Sequence, residues 1–306
     1  MTRDEMLKLT RGIALAVVTP LRNDGAVDDG AIDRLVSFLL EKGIHHENGF
    51  LIPLSTTGNF LSLSMEERKQ VTRSYTKSIA GRIPMAVGCN HIRLADTIEL
   101  AKFCQDLGAI AILVSPPFYW RPTDAQVIKH YEEVCRSVEI GVLIYNNHWA
   151  SQNDISVEAL QEILKNPKII GLKESTYSVE KLTRVTRLFS KQVNILNGPG
   201  EAFEPLYCQL GCTGFTSTLG NIVPEYSVKL HSLLVAERFE DAKSLAHQLT
   251  PLTRFLDGLL GGQYISALMH VLNRLGICEP TVRPPLLPLQ RHETEALENH
   301  MKELGF

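Results

Sequence analysis

One lysine of this chain stands where an amine can do covalent chemistry. In the run 169–175 the alternation of strand side chains sets Ile169, Gly171 and Lys173 on one face and Ile170 and Leu172 on the other. If the lysine face looks into a buried barrel, desolvation disfavours the ammonium form. The free amine can then attack a keto carbon and form a Schiff base. If the strand end faces water instead, Lys173 carries its charge to solvent along its aliphatic stem. Residues elsewhere supply the partners such chemistry needs: Thr56 and Thr57 ahead of Gly58, Tyr119 in a Pro-Pro-Phe-Tyr-Trp loop, Tyr145 at the end of an apolar run, Gly198 and Thr216. A phenol beside an imine can carry a proton to or from the adjacent carbon. Each also has a plainer reading: a tight turn at Thr56-Thr57-Gly58, a core tyrosine at 145, loop packing or an interface anchor at 119, backbone freedom at Gly198. Their shared position, just at or past the end of a strand, favours chemistry.

The elements that position them repeat along the chain. Apolar runs of strand length fall at 13–18, 49–54, 84–88, 109–114, 141–145, at Lys173 itself, and at 193–197 and 214–217. Helical signals follow each run. Asp28 or Asp29 can cap the first helix and Gly43 close it; Ser64 with Glu67 makes a capping box; Thr123, Ser156 and Ser178 open later helices, and Pro224 starts the one after the last strand. Eight strand–helix repeats in about 235 residues predict an α/β fold, a (β/α)8 TIM barrel, with active residues at the carboxyl ends of its strands. The competing Rossmann-type sheet lacks its G-x-G-x-x-G after the first strand, and no P-loop occurs. Past residue 238 the strand pattern stops. Helices are expected at 240–256, 266–275 and 293–304, with an extended linker at 280–288. The expected division is therefore a catalytic barrel at 1–237 and a C-terminal helical region at 238–306.

Composition narrows the partners. The 306 residues are 44% hydrophobic and 21% charged with net charge -3, which gives no electrostatic case for nucleic acid or an anionic membrane. A small polar substrate is the expectation. The N-terminus shows neither a signal peptide nor a run long enough to span a bilayer, so cytoplasmic residence is expected. The six cysteines are scattered in apolar or helical context and read as reduced thiols. Cys208 and Cys212 can share a helix face but have no partners at zinc-site spacing, and no two-histidine helical motif occurs, so neither metal nor cofactor is expected.

Taken in order, Thr19-Pro20, Thr56-Thr57-Gly58, Gly81 to Pro84, Pro117-Phe118-Tyr119 with Arg121-Pro122, Tyr145-Asn146, Gly171 to Glu174, Asn197-Gly198 and Gly214 to Ser217 resemble the dihydrodipicolinate synthase and N-acetylneuraminate lyase family. The resemblance spans the whole chain and implies a class I aldolase or lyase. Lys173 would form the imine with pyruvate or a longer 2-keto acid, and Tyr145 would transfer the proton beside it. Thr57 would relay that proton towards water with Tyr119, reaching across from a neighbouring subunit of a homotetramer, a dimer of dimers. Backbone amides at Thr56 and Thr57 would hold the keto-acid carboxylate, with Gly198 and Thr216 also lining the substrate.

Three departures fall on the second-substrate side. Ala150 stands where these synthases place an arginine five residues after the tyrosine, which removes a charge-assisted contact of about 1.5–3 kcal/mol. Asn59 replaces a usual glutamate, and Pro199-Gly200 replace a usual acidic residue. A 2-keto-3-deoxy sugar acid aldolase or dehydratase is accordingly the alternative within the family. A non-catalytic keto-acid-binding barrel is the alternative outside it, and joint retention of Lys173, Tyr145, Thr57 and Tyr119 weighs against it. A metal-dependent barrel hydrolase lacks its His and Asp clusters.

Overall fold

Eight parallel strands make one sheet: β1 (Gly12–Leu15), β2 (Gly49–Leu51), β3 (Ala86–Gly88), β4 (Ala111–Val114), β5 (Gly141–Asn146), β6 (Ile169–Glu174), β7 (Asn194–Asn197) and β8 (Gly214–Ser217). The structure is a computed structural model that describes residues 1–306, the side chain of Leu260 excepted. The strands run in the order β2-β1-β8-β7-β6-β5-β4-β3, and a parallel bridge from Leu51 to Met85 joins the two ends. The expected (β/α)8 barrel is thus present. Five of its strands, β1 to β4 and β7, are shorter than the apolar runs. The second ends at Leu51 because Pro53 has no amide to donate and Leu54 turns the chain with φ of 58°.

Helix α1 (Arg3–Leu9) precedes the first strand; α2 (Asp29–Glu41), α3 (Met65–Ile79), α4 (Leu94–Asp106), α5 (Asp124–Ser137), α6 (His148–Ser151), α7 (Val157–Ile163), α8 (Val179–Phe189) and α9 (Glu204–Gln209) lie between strands, and α10 (Pro224–Val235) follows the last. Asp28, Thr123, Ser156 and Ser178 cap as expected, and Ser64 with Glu67 closes a capping box. Two helices were not anticipated. The sequence reading leaves α1 out, yet a Thr2–Glu5 capping box starts it, and its Met6 side chain enters the lower end of the barrel interior beside Ile110 and Ile170. Arg3 fastens it by donating to the carbonyls of Pro167 and Gln192, at 3.0 and 2.7 Å. The four-residue α6 was likewise unforeseen.

Side chains alternate between an inner cluster, which includes Ala14, Phe50, Leu113, Leu143, Tyr145 and Leu196, and an outer layer under the helices. The sixth strand breaks the simple alternation expected of it. Val142 pairs with Ile169 but Leu143 pairs with Gly171, so Ile170 is an extra residue, a β-bulge. Ile169 therefore packs outward with Leu172, while Ile170 turns inward. Gly141 leaves room for it, since a Cβ there would lie 2.3 Å from Ile170 Cδ1. Past the bulge, regular pairing aligns Tyr145 with Lys173 and Lys173 with Leu196, and the lysine faces inward.

Beyond α10, α11 (Phe239–Gly258), α12 (Tyr264–Arg274) and α13 (Arg291–Glu303) return to the barrel of the same chain. Arg283, in the linker before α13, donates to the Gly25 and Ser62 carbonyls and pairs with Glu67, whose carboxyl falls to about 2, chiefly through that guanidinium. Arg34 donates to the Ile277 carbonyl at 2.8 Å. Among the described residues no helix is long and apolar enough to cross a membrane.

Candidate active site

Lys173 lies at the carboxyl end of β6 with 4% of its surface exposed, and its Nζ stands 4.2 Å from the centroid of the Tyr145 ring. Adjacent strands in matched register deliver this pair. No carboxylate comes within ion-pair distance of Lys173 among the described residues, whereas Lys181 pairs with Asp154 and Glu174. The amine thus lies against a phenol, with no carboxylate beside it among the described residues.

The Tyr145 hydroxyl is 3.1 Å from Thr56 Oγ1 and accepts a hydrogen bond from Asn147 Nδ2 at 2.8 Å. Burial pushes this phenol upward, but the charge of Lys173 and the bonds to Thr56 and Asn147 outweigh it, so its pKa falls below the usual tyrosine value. The hydroxyl that meets the phenol belongs to Thr56. That of Thr57 instead lies 3.3 Å from the hydroxyl of Tyr264, at the start of α12. Among the described residues the backbone amides of Thr56 and Thr57 find no protein acceptor, which leaves two donors on the loop after β2.

The other expected residues take separate places. Thr216, paired with Ala14 across β8 and β1, is buried, and its Oγ1 has no hydrogen-bond partner among the described residues. Gly198 permits close approach of two strand ends: a Cβ there would meet Ser175 Oγ at 2.3 Å and the Glu174 carbonyl oxygen at 2.7 Å. Tyr119 is not brought to the cluster within one chain. It stands 75% exposed on the loop after β4, edge-on to Trp120 at 5.3 Å, with φ of 82°. A left-handed backbone is strained for a bulky residue, and such strain concentrates at functional loops.

Beneath the cluster, polar residues lock the strand ends. Asn146 donates to Glu174 at 2.8 Å and to Asp154 at 2.9 Å, and the Thr176 amide donates to Glu174. Burial raises the Glu174 pKa against the pull of Lys181. After β7, Asn197 donates to the buried Glu204 at 2.8 Å, and burial pushes that carboxyl up to about 8. Glu201 accepts from Ser217 at 2.6 Å and from Ser227 at 3.0 Å.

Asn147 and Tyr264 escaped the sequence reading. Asn147 carried a readable signal, because asparagine is a strong N-cap and here caps α6. Tyr264 carried none: only the return of the C-terminal helices brings it to Thr57. The carboxyl ends of three strands, β2, β5 and β6, therefore offer an unpaired amine, a hydrogen-bonded phenol and free amide donors. That set can capture a ketone covalently, hold an adjacent carboxylate and move a proton.

A family model described as the dihydrodipicolinate synthetase family matches residues 9–304. The 4-hydroxy-tetrahydrodipicolinate synthase of Bartonella tribocorum is 28% identical over 300 residues, covering 97% of this chain and 99% of the relative. Among solved structures, the chloride-inhibited dihydrodipicolinate synthase of Acinetobacter baumannii in complex with pyruvate superposes with a TM-score of 0.89 at 28% identity, over 97% of this chain and 99% of that one. A dihydrodipicolinate synthase variant described as the first monomeric one gives a TM-score of 0.89 at 26% identity, over 98% of both chains.

Proposed function

This chain belongs to the dihydrodipicolinate synthetase family, and from that premise we propose that it is a class I lyase whose Lys173 forms an imine with pyruvate or a related 2-keto acid. The observation that carries the reading is the unpaired, buried Lys173 amine beside the Tyr145 phenol.

The amine adds to the keto carbon, and loss of water gives the imine. The imine withdraws electrons from the neighbouring carbon, which gives up a proton to become an enamine. The enamine carbon then bonds to an aldehyde carbon, whose oxygen takes a proton. Water finally hydrolyses the imine and frees Lys173; cleavage is the reverse. Tyr145 is the proton carrier in this scheme. Thr56, in hydrogen-bond contact with the phenol, is the better relay than Thr57. The free amides after β2 suit the keto-acid carboxylate, and Thr216, with its unpartnered hydroxyl, suits an oxygen of the bound substrate.

The division at 237/238, the homotetramer and cytoplasmic residence belong to the same proposal. Exposure and backbone strain at Tyr119 support a role in a neighbouring subunit's site, so dilution to monomers should abolish turnover while leaving the barrel folded. The chemistry itself is tested by proton NMR of pyruvate in D2O. Wild-type protein should exchange the methyl hydrogens, and folded Lys173→Ala protein should not. Binding of pyruvate without exchange would overturn the proposal.

A further inference from the structure

Past the strand ends, the paired register of Tyr145 and Lys173 continues into a pair of rings. Trp149 follows Tyr145 by four residues and Tyr177 follows Lys173 by four. Their centroids stand 6.2 Å apart at 66°. Tyr177 in turn meets Phe203, on the segment after β7, at 5.2 Å. Three successive loops on the carboxyl side of the barrel, those after β5, β6 and β7, thus join in a run of edge-to-face rings. Trp149 is 69% exposed and Tyr177 48% exposed, so the rings present open surface as well as packing on one another.

The charges around the rim point the same way. The residue after Trp149 is Ala150, and among the described residues no lysine or arginine lies over Trp149, Tyr177 or Phe203. Trp149 also stacks on the His148 ring at 4.7 Å, which adds to the flat surface. Asp257, near the end of α11, pushes up Tyr177 and Tyr264, as a smaller cause than their burial. Among the described residues these rings therefore offer flat apolar surface with no guanidinium or ammonium stacked on it.

We propose that the second substrate of this enzyme is an uncharged aromatic aldehyde whose ring packs against Trp149 and Tyr177 while its carbonyl carbon meets the enamine on Lys173. This rests on the Schiff-base reading above. The bond formed joins the methyl-derived carbon of pyruvate to the aldehyde carbon, the aldehyde oxygen takes a proton, and hydrolysis releases a 4-aryl-4-hydroxy-2-oxobutanoate. The reverse reaction cleaves the same compound.

The experiment compares kcat/KM for benzaldehyde, aspartate semialdehyde and glyceraldehyde, each with pyruvate, in wild type, Trp149→Ala and Trp149→Phe. Benzaldehyde should be preferred in wild type. Trp149→Ala should lower kcat/KM for benzaldehyde about tenfold, mainly through KM, as loss of an aromatic partner implies. Trp149→Phe should recover most of the loss. Borohydride trapping of pyruvate, which needs no aldehyde, should stay at the wild-type level in both variants. Preference for aspartate semialdehyde, with trapping intact, would overturn this inference alone; so would an equal loss for all three aldehydes, or a changed oligomeric state in Trp149→Ala by light scattering. Absence of trapping in wild type would instead overturn the Schiff-base reading beneath it.

Discussion

Within a few residues the barrel mouth passes from the buried pair Tyr145 and Lys173 to the open pair Trp149 and Tyr177. Strand pairing sets the inner pair, and each member is confined by a neighbouring strand and by hydrogen bonds at the strand ends. The outer pair hangs on the short α6 and on the loop after β6, and touches through ring edges. A covalent step needs atoms held to fractions of an ångström, which strands provide. Choice of a partner aldehyde needs only a complementary surface, and loops can vary that surface without disturbing the strands. On the proposal that the outer rings choose the aldehyde, capture of a keto acid and selection of its partner are physically separable.

Substitutions can break that separation or sharpen it. The largest effect is expected at the inner phenol: Tyr145→Phe should lower kcat by roughly 10²–10⁴-fold, the range of a positioned acid or base. Pyruvate should still be trapped on the variant by borohydride, and loss of trapping would mean that Tyr145 builds the site instead of moving the proton. Thr56→Val should cost about tenfold in kcat, the worth of one hydrogen bond to the phenol and so below that range. It should also shift the pH profile. Tyr145 serves as a donor while protonated, and its lowered pKa in the free enzyme brings the alkaline fall in kcat/KM below the pH of an ordinary tyrosine. Without the Thr56 hydroxyl that fall should move to higher pH. Thr57→Val, which loses contact with Tyr264 instead, should leave the alkaline limb in place, and a shift there equal to that of Thr56→Val would restore Thr57 as the relay.

The smallest effect concerns stability beneath the outer loops. Glu204 has a folded-state pKa near 8, raised from 4.5 by burial, so it binds more protons folded than unfolded between those values. Its contribution is full below 4.5 and is lost as pH rises through about 8. Glu204→Gln should therefore flatten the fall of Tm between pH 6 and 9, as followed by circular dichroism. An unchanged slope would show that the carboxyl is not protonated in the folded protein.

Much of the inner half was legible before any coordinates, because apolar runs, caps and strand-end polar residues are local signals. Lys173 and Tyr145 could be placed at neighbouring strand ends from spacing alone. The bulge at Ile170 could not, since an extra residue is visible only against the partner strand. The contact of Tyr145 with Thr56, and not Thr57, escaped for a similar reason: the chain turns at Leu54 with φ of 58°, and sequence alternation does not extend through a turn. Tyr264 reaches Thr57 across 207 residues, through the return of α11 and α12, whose packing direction the chain does not spell out. The outer rings likewise come from three separate loops, and each reads alone as an ordinary exposed aromatic.

The central claim is most directly tested by mass spectrometry of protein treated with pyruvate and borohydride. One reduced adduct per chain, located by peptide mapping at Lys173 and absent in folded Lys173→Ala protein, is the predicted result. An adduct on another lysine, or none on folded wild-type protein, would contradict it.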